Sequence, residues 1–167
     1  MLIIKVKHIR GKIDLPTVMP KGEWIDLRCA KKTTIVGPLK QKEGNAVTFN
    51  NTLIPLGIAM KLPAGFEAVM APRSSTYKHY GVIQSNSIGV IDNSYCGNND
   101  EWHFPVIAFK KTTIPEGDRI CQFRIQLCQN ATIWQKIKWF FSPGICIDVV
   151  DDLKDEDRGG FGSTGTK

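Results

Sequence analysis

Gly89-Val90-Ile91-Asp92-Asn93-Ser94-Tyr95-Cys96-Gly97 is the stretch on which the reading of this 167-residue chain turns. Val90 and Ile91 favour extended backbone and Asn93-Ser94 is turn chemistry. The segment therefore predicts a strand entering a tight hairpin whose bend presents Asp92 and Tyr95. Gly89 and Gly97 bracket it and let backbone approach something flat, because no Cβ intervenes. Taken alone, the stretch is also compatible with an ordinary surface hairpin, since Asp and Tyr are common in turns.

The flanks are β-rich on both sides. Residues 2–7 alternate as Leu-Ile-Ile-Lys-Val-Lys, predicting an edge strand with its lysines outward, and residues 24–29 alternate at period two around Asp26. Apolar runs at 33–36, 46–49, 52–60 and 66–70 are cut by Gly37-Pro38, Glu43-Gly44-Asn45 and Pro63-Ala64-Gly65, the spacing of a sandwich or barrel. Downstream, residues 101–109 predict a strand with a bulge or edge at Pro105 and with Trp102 and Phe104 in the core. Along residues 118–125, Ile120 and Gln122 share one face and Cys121 and Phe123 the other, which makes Gln122 a candidate buried or functional amide.

Two stretches break the β pattern. Between Ala71 and Gly81, Ser74 is a good N-cap and Gly81 a good stop, predicting a short helix. With Arg73 just ahead of it, its start is either an anion site or a capped connection. From Asn130 to Phe141, Ile133, Ile137 and Phe140 recur at helical spacing after a cap at Asn130, although the run also reads as an apolar loop. Residues 145–150 predict a last strand, 151–157 an acidic linker, and 158–167 a glycine-rich tail whose arginine, aromatic and hydroxyls suit wrapping around phosphates.

Composition narrows the class. With 42% hydrophobic and 23% charged residues, the chain reads as one soluble globular domain. Five cysteines, an odd number without a C-x-x-C pair, and three histidines away from any zinc spacing predict reduced thiols. The apolar start is too short for a signal peptide or a membrane span, so the expected location is cytoplasmic. The net charge of +6 favours an anionic partner, but the basic residues are scattered. That pattern suits a phosphate-bearing small molecule, not nucleic acid or a membrane surface.

Five ordered segments now stand out: 22–27, 71–75, 89–97, 117–122 and 158–165. In order and spacing they resemble the motifs of the trimeric dUTP pyrophosphatases (dUTPases), closely the compact form of Gram-positive bacteria and their phages. The resemblance implies an all-β, jelly-roll-like β-barrel or sandwich of the β-clip kind, with one short helix and a flexible C-terminal arm. The β domain would span 1–157, with 129–143 as an insertion between the fourth and fifth motifs, and the arm 158–167. It further implies a homotrimer with three shared active sites, each taking the second and fourth motifs from one chain, the third from another and the fifth from the last. The reaction would be magnesium-dependent hydrolysis of dUTP to dUMP and pyrophosphate, limiting uracil in DNA and supplying dUMP for dTMP synthesis.

By match to the motifs, Asp92 would deprotonate the water attacking the α-phosphorus, and Tyr95 would lie against the deoxyribose. The backbone of Val90 and Ile91, helped by Asn86, would pair with uracil. Ser74, Ser75 and Gln122 would hold phosphates and Arg73 would stabilise the site near Asp92. Arg158, Gly160, Gly162 and Ser163 would close on the γ side while Phe161 covers the base. Mg2+ would be held through the triphosphate and by no direct protein ligand. Glu23-Trp24 replaces the family's Ala-Gly, which leaves Asp26 without a clear role, and Asn98 stands where an acidic residue often follows. Two other readings fit the fold: a dCTP deaminase, which lacks such an arm, and a dUTPase-fold regulator that binds a protein through 129–143.

Overall fold

The computed structural model describes residues 1–11, 13–18, 22–41 and 46–160. Strands β1 (Leu2–His8), β2 (Thr17–Val18), β3 (Ile25–Arg28), β4 (Thr33–Ile35), β5 (Leu39–Lys40), β6 (Val47–Thr48), β7 (Thr52–Pro55), β8 (Ile58–Lys61) and β9 (Phe66–Pro72) precede helix α1 (Thr76–Tyr80). Then come β10 (Val82–Gln84), β11 (Gly89–Ile91), β12 (His103–Ala108), β13 (Thr112–Ile114), β14 (Arg119–Leu127), helix α2 (Ile133–Phe140) and β15 (Ile145–Val149). The largest sheet has the order β11-β9-β14-β3-β2, and three-stranded sheets β15-β1-β8 and β10-β12-β7 accompany it. The fold is all-β and jelly-roll-like.

Alternation decides which face each sheet buries. Leu2, Ile4 and Val6 of β1 and Phe66, Ala68 and Met70 of β9 point inward, and Trp102 meets Phe123 edge-on with ring centroids 5.2 Å apart. Each buried side chain of this size contributes about 1.5–3 kcal/mol, so the inward rows hold the sheets together. Among the described residues, no helix is long and apolar enough to cross a membrane. All five cysteines are free thiols.

Several local expectations change. β1 is a central strand, because β15 lies parallel along one side of it and β8 antiparallel along the other. β12 is also central, and Pro105 is tolerated because its carbonyl accepts Ser85 N–H at 3.0 Å just past the end of β10, where a missing donor breaks no run of bonds. In β14 a register shift between Arg119 and Cys121 lets both Ile120 and Cys121 turn inward, so the simple two-face assignment fails there.

Among the described residues there are two helices, one more than the resemblance implies. α1 has five residues and is capped by Ser75, not Ser74, with no side-chain capping bond; Gly81 stops it in the left-handed conformation at φ 63. Fewer than two turns carry little dipole, so the helix start by itself makes no strong anion site. The 130–141 run is helical, capped by Thr132 in place of Asn130, because Thr132 and Gln135 close a reciprocal capping box.

Candidate active site

β11 is an edge strand, paired with β9 on one side, with Val90 opposite Val69 and Ile91 opposite Ala68. The expected hairpin does not form. After Ile91 the chain turns, with Tyr95 N–H donating to the Asp92 carbonyl at 3.0 Å, and then runs without a return strand to β12. Asn93 is the reason. Its amide donates to the carbonyls of Leu62, Pro63 and Phe66 at 3.2, 2.9 and 3.2 Å, anchoring the turn to the β8–β9 connection.

The turn leaves the Asp92 side chain 54% exposed, and Arg158 Nη1 lies 2.6 Å from its Oδ2. The two residues are 66 positions apart in sequence. Tyr95 packs partly against the core and donates its hydroxyl to the Glu101 carbonyl at 2.9 Å. Burial, reinforced by Asp100, Glu101 and Asp157, pushes its phenol up to about 12, so the ring is a neutral donor at physiological pH. A Cβ at Gly160 would come within 3.0 Å of the Tyr95 ring, so the chain after Arg158 runs along that ring. Gln84 donates to Asn86 Oδ1 at 2.9 Å, shaping the loop that leads into β11.

Residues 151–160 are no free linker. Leu153 is buried, Lys61 pairs with Asp155, and Asn98 both accepts from Leu153 N–H at 3.0 Å and donates to Asp152 at 2.8 Å. Asn99 donates its backbone and side-chain N–H groups to Asp157 at 2.7 and 2.6 Å, which holds that carboxyl below its usual range. Asp100 accepts from Arg158 and Gly159 N–H, each at 2.9 Å. Gly97 must lack a side chain, because a Cβ would overlap the backbone of Asp157. From sequence, Asn98 stood out only as a departure from an acidic residue, and Asn99, Asp100 and Asp157 were given no role. Their only signal was a polar tetrapeptide after the third motif and an acidic run before the fifth.

A second group forms elsewhere. Asp26 is 4% exposed and accepts from Arg73 Nε at 3.0 Å and from Arg119 Nη1 at 3.1 Å. It sits opposite Gln122 on β14, whose amide donates to the Pro72 carbonyl at 3.2 Å. Asp26, Arg73, Ser74 and Gln122 line a cleft of about 200 Å³, and Ser75 lines a neighbouring one with Arg73, Arg119 and His79. Asp92 lines a different hollow, of about 560 Å³, with Lys61, Asn93, Cys96 and Asp155. One chain thus separates Asp92 and Tyr95 from Arg73, Ser74, Ser75 and Gln122. It brings the root of the fifth segment onto the third segment of the same chain, whereas the resemblance assigned those two segments to different chains. Phe161, Gly162 and Ser163 lie outside the described residues.

Among the described residues, no three His, Cys, Asp or Glu side chains converge to hold a metal, and both Asp26 oxygens are engaged by arginines. Within one chain, the described side chains assemble no carboxylate cage for a cation.

The dUTPase family model matches residues 40–165. The chain belongs to the dUTPase family. It is 47% identical over 164 residues to the SPβ prophage-derived deoxyuridine 5′-triphosphate nucleotidohydrolase of Bacillus subtilis strain 168, covering 98% of this chain and 99% of that one. As a dUTPase it is a nucleotide hydrolase. Its fold matches the dUTPase of Streptococcus mutans with a TM-score of 0.60 at 21% identity, over 74% of this chain and 94% of that one. A mutant dUTPase from phage phi11 of Staphylococcus aureus, described as coordinating a structural Mg(II) ion, matches with a TM-score of 0.60 at 14% identity, over 78% and 94%.

Proposed function

We propose that this dUTPase hydrolyses dUTP to dUMP and pyrophosphate in the cytoplasm, with Asp92 as the base that orients and deprotonates the water attacking the α-phosphorus. The observation that carries the reading is the meeting of Asp92 with Arg158 at 2.6 Å on an open turn beside an unpaired strand edge. That edge, the Val90–Ile91 backbone, offers peptide groups to the rim of a uracil, with Asn86 beside it. Tyr95 lies against the deoxyribose, where an added 2′-hydroxyl would clash and lack a partner. Arg158 neutralises charge as the phosphates align, and Gly160, Phe161, Gly162 and Ser163 continue the arm over the substrate.

Arg73, Ser74, Ser75 and Gln122 serve as phosphate ligands supplied by a neighbouring subunit of a homotrimer. The separation of this group from Asp92 within one chain supports a site shared between subunits. Asp26 acts as the support of Arg73 and not as a ligand. A magnesium ion, when bound, would supply charge neutralisation at the triphosphate, with no direct protein ligand assigned to it. The test is pyrophosphate release from dUTP, UTP, dCTP and dTTP together with sedimentation of the protein. Turnover of dUTP alone by a trimer is expected; equal use of UTP, or full activity as a monomer, would sink the reading.

A second reading, protein binding through 129–143, has one observation in its favour. α2 turns Gln135 and Trp139 toward Gly65 and Phe66, and its opposite side carries Ile133, Trp134, Ile137, Phe140 and Phe141 in the open, with Trp134 76% and Phe140 81% exposed. An apolar stripe of this kind is an interaction surface until covered. If it binds a protein, Trp134→Ser with Phe140→Ser removes that binding and leaves dUTP turnover unchanged; a paired loss of turnover would assign α2 to the enzyme instead.

A further inference from the structure

Asp100 lies outside every segment given a role above, yet it is 2% exposed and both its carboxylate oxygens accept from backbone donors. Oδ2 accepts from Gly97 N–H at 2.8 Å and from Arg158 N–H at 2.9 Å; Oδ1 accepts from Gly159 N–H at 2.9 Å. Two of these donors come from a segment 58 and 59 residues further along the chain. Burying a carboxylate is costly unless such bonds compensate it, and charge-assisted bonds are about twice as strong as neutral ones. A loop that needed only to close on itself would use the Gly97 bond alone. The two remaining bonds are spent on the peptide groups flanking Arg158.

We infer that Asp100 is a positioning residue that sets the Arg158 guanidinium on Asp92 before any substrate arrives. Arg158 sits at the start of a glycine-rich stretch, where a free backbone would spread its side chain over many directions. Fixing the N–H groups on either side of its Cα removes that freedom, and Asn99 holding Asp157 fixes the residue before it. Gly97 makes room for the crossing. The cationic partner of the reacting carboxylate is therefore pre-ordered, and ordering it costs nothing during the chemical step. The catalytic part of this inference rests on the reading of Asp92 and Arg158 under Proposed function; the anchoring part does not.

The test uses the full-length protein with Asp100→Asn, Arg158→Ala and the double variant, assayed for dUTP hydrolysis and for trypsin cleavage after Arg158, located by mass spectrometry. In Asp100→Asn one carboxylate acceptor becomes a donor facing peptide N–H groups. We expect kcat to fall about tenfold with KM within about twofold, and cleavage after Arg158 to speed up about tenfold. In the Arg158→Ala background, Asp100→Asn should add no more than about a further twofold loss of kcat. Gly97→Ala, which keeps the carboxylate but pushes Asp157 away, should reproduce both effects and decides the matter if Asp100→Asn fails to fold. Losses that multiply independently, or cleavage after Arg158 at the parental rate in both variants, would overturn the inference. A parent inert toward dUTP sinks the functional reading instead, and the cleavage comparison still decides whether Asp100 anchors Arg158.

Discussion

Asp26 and Asp92 are both aspartates paired with arginine, and they sit in opposite physical settings. Asp26 lies within the five-stranded sheet, 4% exposed, with Arg73 on one oxygen and Arg119 on the other. Asp92 stands on a turn at the sheet edge, more than half exposed, with Arg158 on a single oxygen. In the first setting each oxygen of a nearly buried carboxylate is held by an arginine, and removing the carboxylate takes the anionic partner from both guanidinium groups. In the second, water screens the pair and a free oxygen faces solvent, so the pairing adds little stability and leaves the group able to accept a proton. Burial, more than residue type, separates the carboxylate that supports the sheet from the one proposed to react.

The sharpest test is Asp92→Asn, which should lower kcat by about 10²–10⁴-fold while leaving the melting temperature and dUTP binding close to the parent. Single-turnover hydrolysis alongside calorimetry checks both halves, and a large loss of stability would erase the contrast. Asp26→Ala should do the reverse, destabilising the fold by about 3 kcal/mol, the low end for a broken buried pair because both arginines are partly exposed. Urea unfolding reads this directly; an unchanged midpoint would mean that Asp26 is not a support.

A smaller effect is expected at Tyr95, which borders the Asp92 turn without joining its charge pair. Tyr95→Ala should narrow the preference for dUTP over UTP by about 1–2 kcal/mol, near tenfold, measured as the ratio of kcat/KM values. Unchanged discrimination would reduce the ring to packing against the core. The smallest effect is one of pH. Asp157, held by Asn99, has its carboxyl below the ordinary value of 3.8, so its contribution to docking the 152–159 segment is complete above that value and lost as pH falls through the lowered one. Shifts of the Asn99 amides in NMR, followed downward from neutral pH, should stay flat until below that value. A transition well above it would assign the docking to another group.

Much of the fold was legible because alternation and turn residues carry it. The inward rows of β1 and β9 and the burial of Trp102 and Phe104 follow from local pattern. Neighbours were not legible: β1 looked like an edge strand and 101–109 like a strand with a bulge or edge at Pro105, since nothing within 2–7 or 103–108 reports that β15 or β7 will dock beside them. The helix at 133–140 was suggested by periodicity, but its cap moved to Thr132 because the capping box needs a specific partner, Gln135, at the third helical position.

At the site, the motif residues Asp92, Tyr95, Arg73, Gln122 and Arg158 could be picked out from the chain alone, because their order and spacing are specific and each type suits phosphate chemistry. Sequence by itself therefore determined the all-β class, the five segments and the membership of the dUTPase family. It was silent on which of those residues meet, since contacts between positions 66 or 93 apart leave no local periodicity. Only the tertiary structure decided that Asp26 is paired with both Arg73 and Arg119, that Arg158 stands on Asp92, and that Asn98, Asn99 and Asp100 fasten the root of the arm. The physical reason is that a polar side chain's role depends on what desolvates it and what pairs with it, and both are supplied by distant parts of the chain.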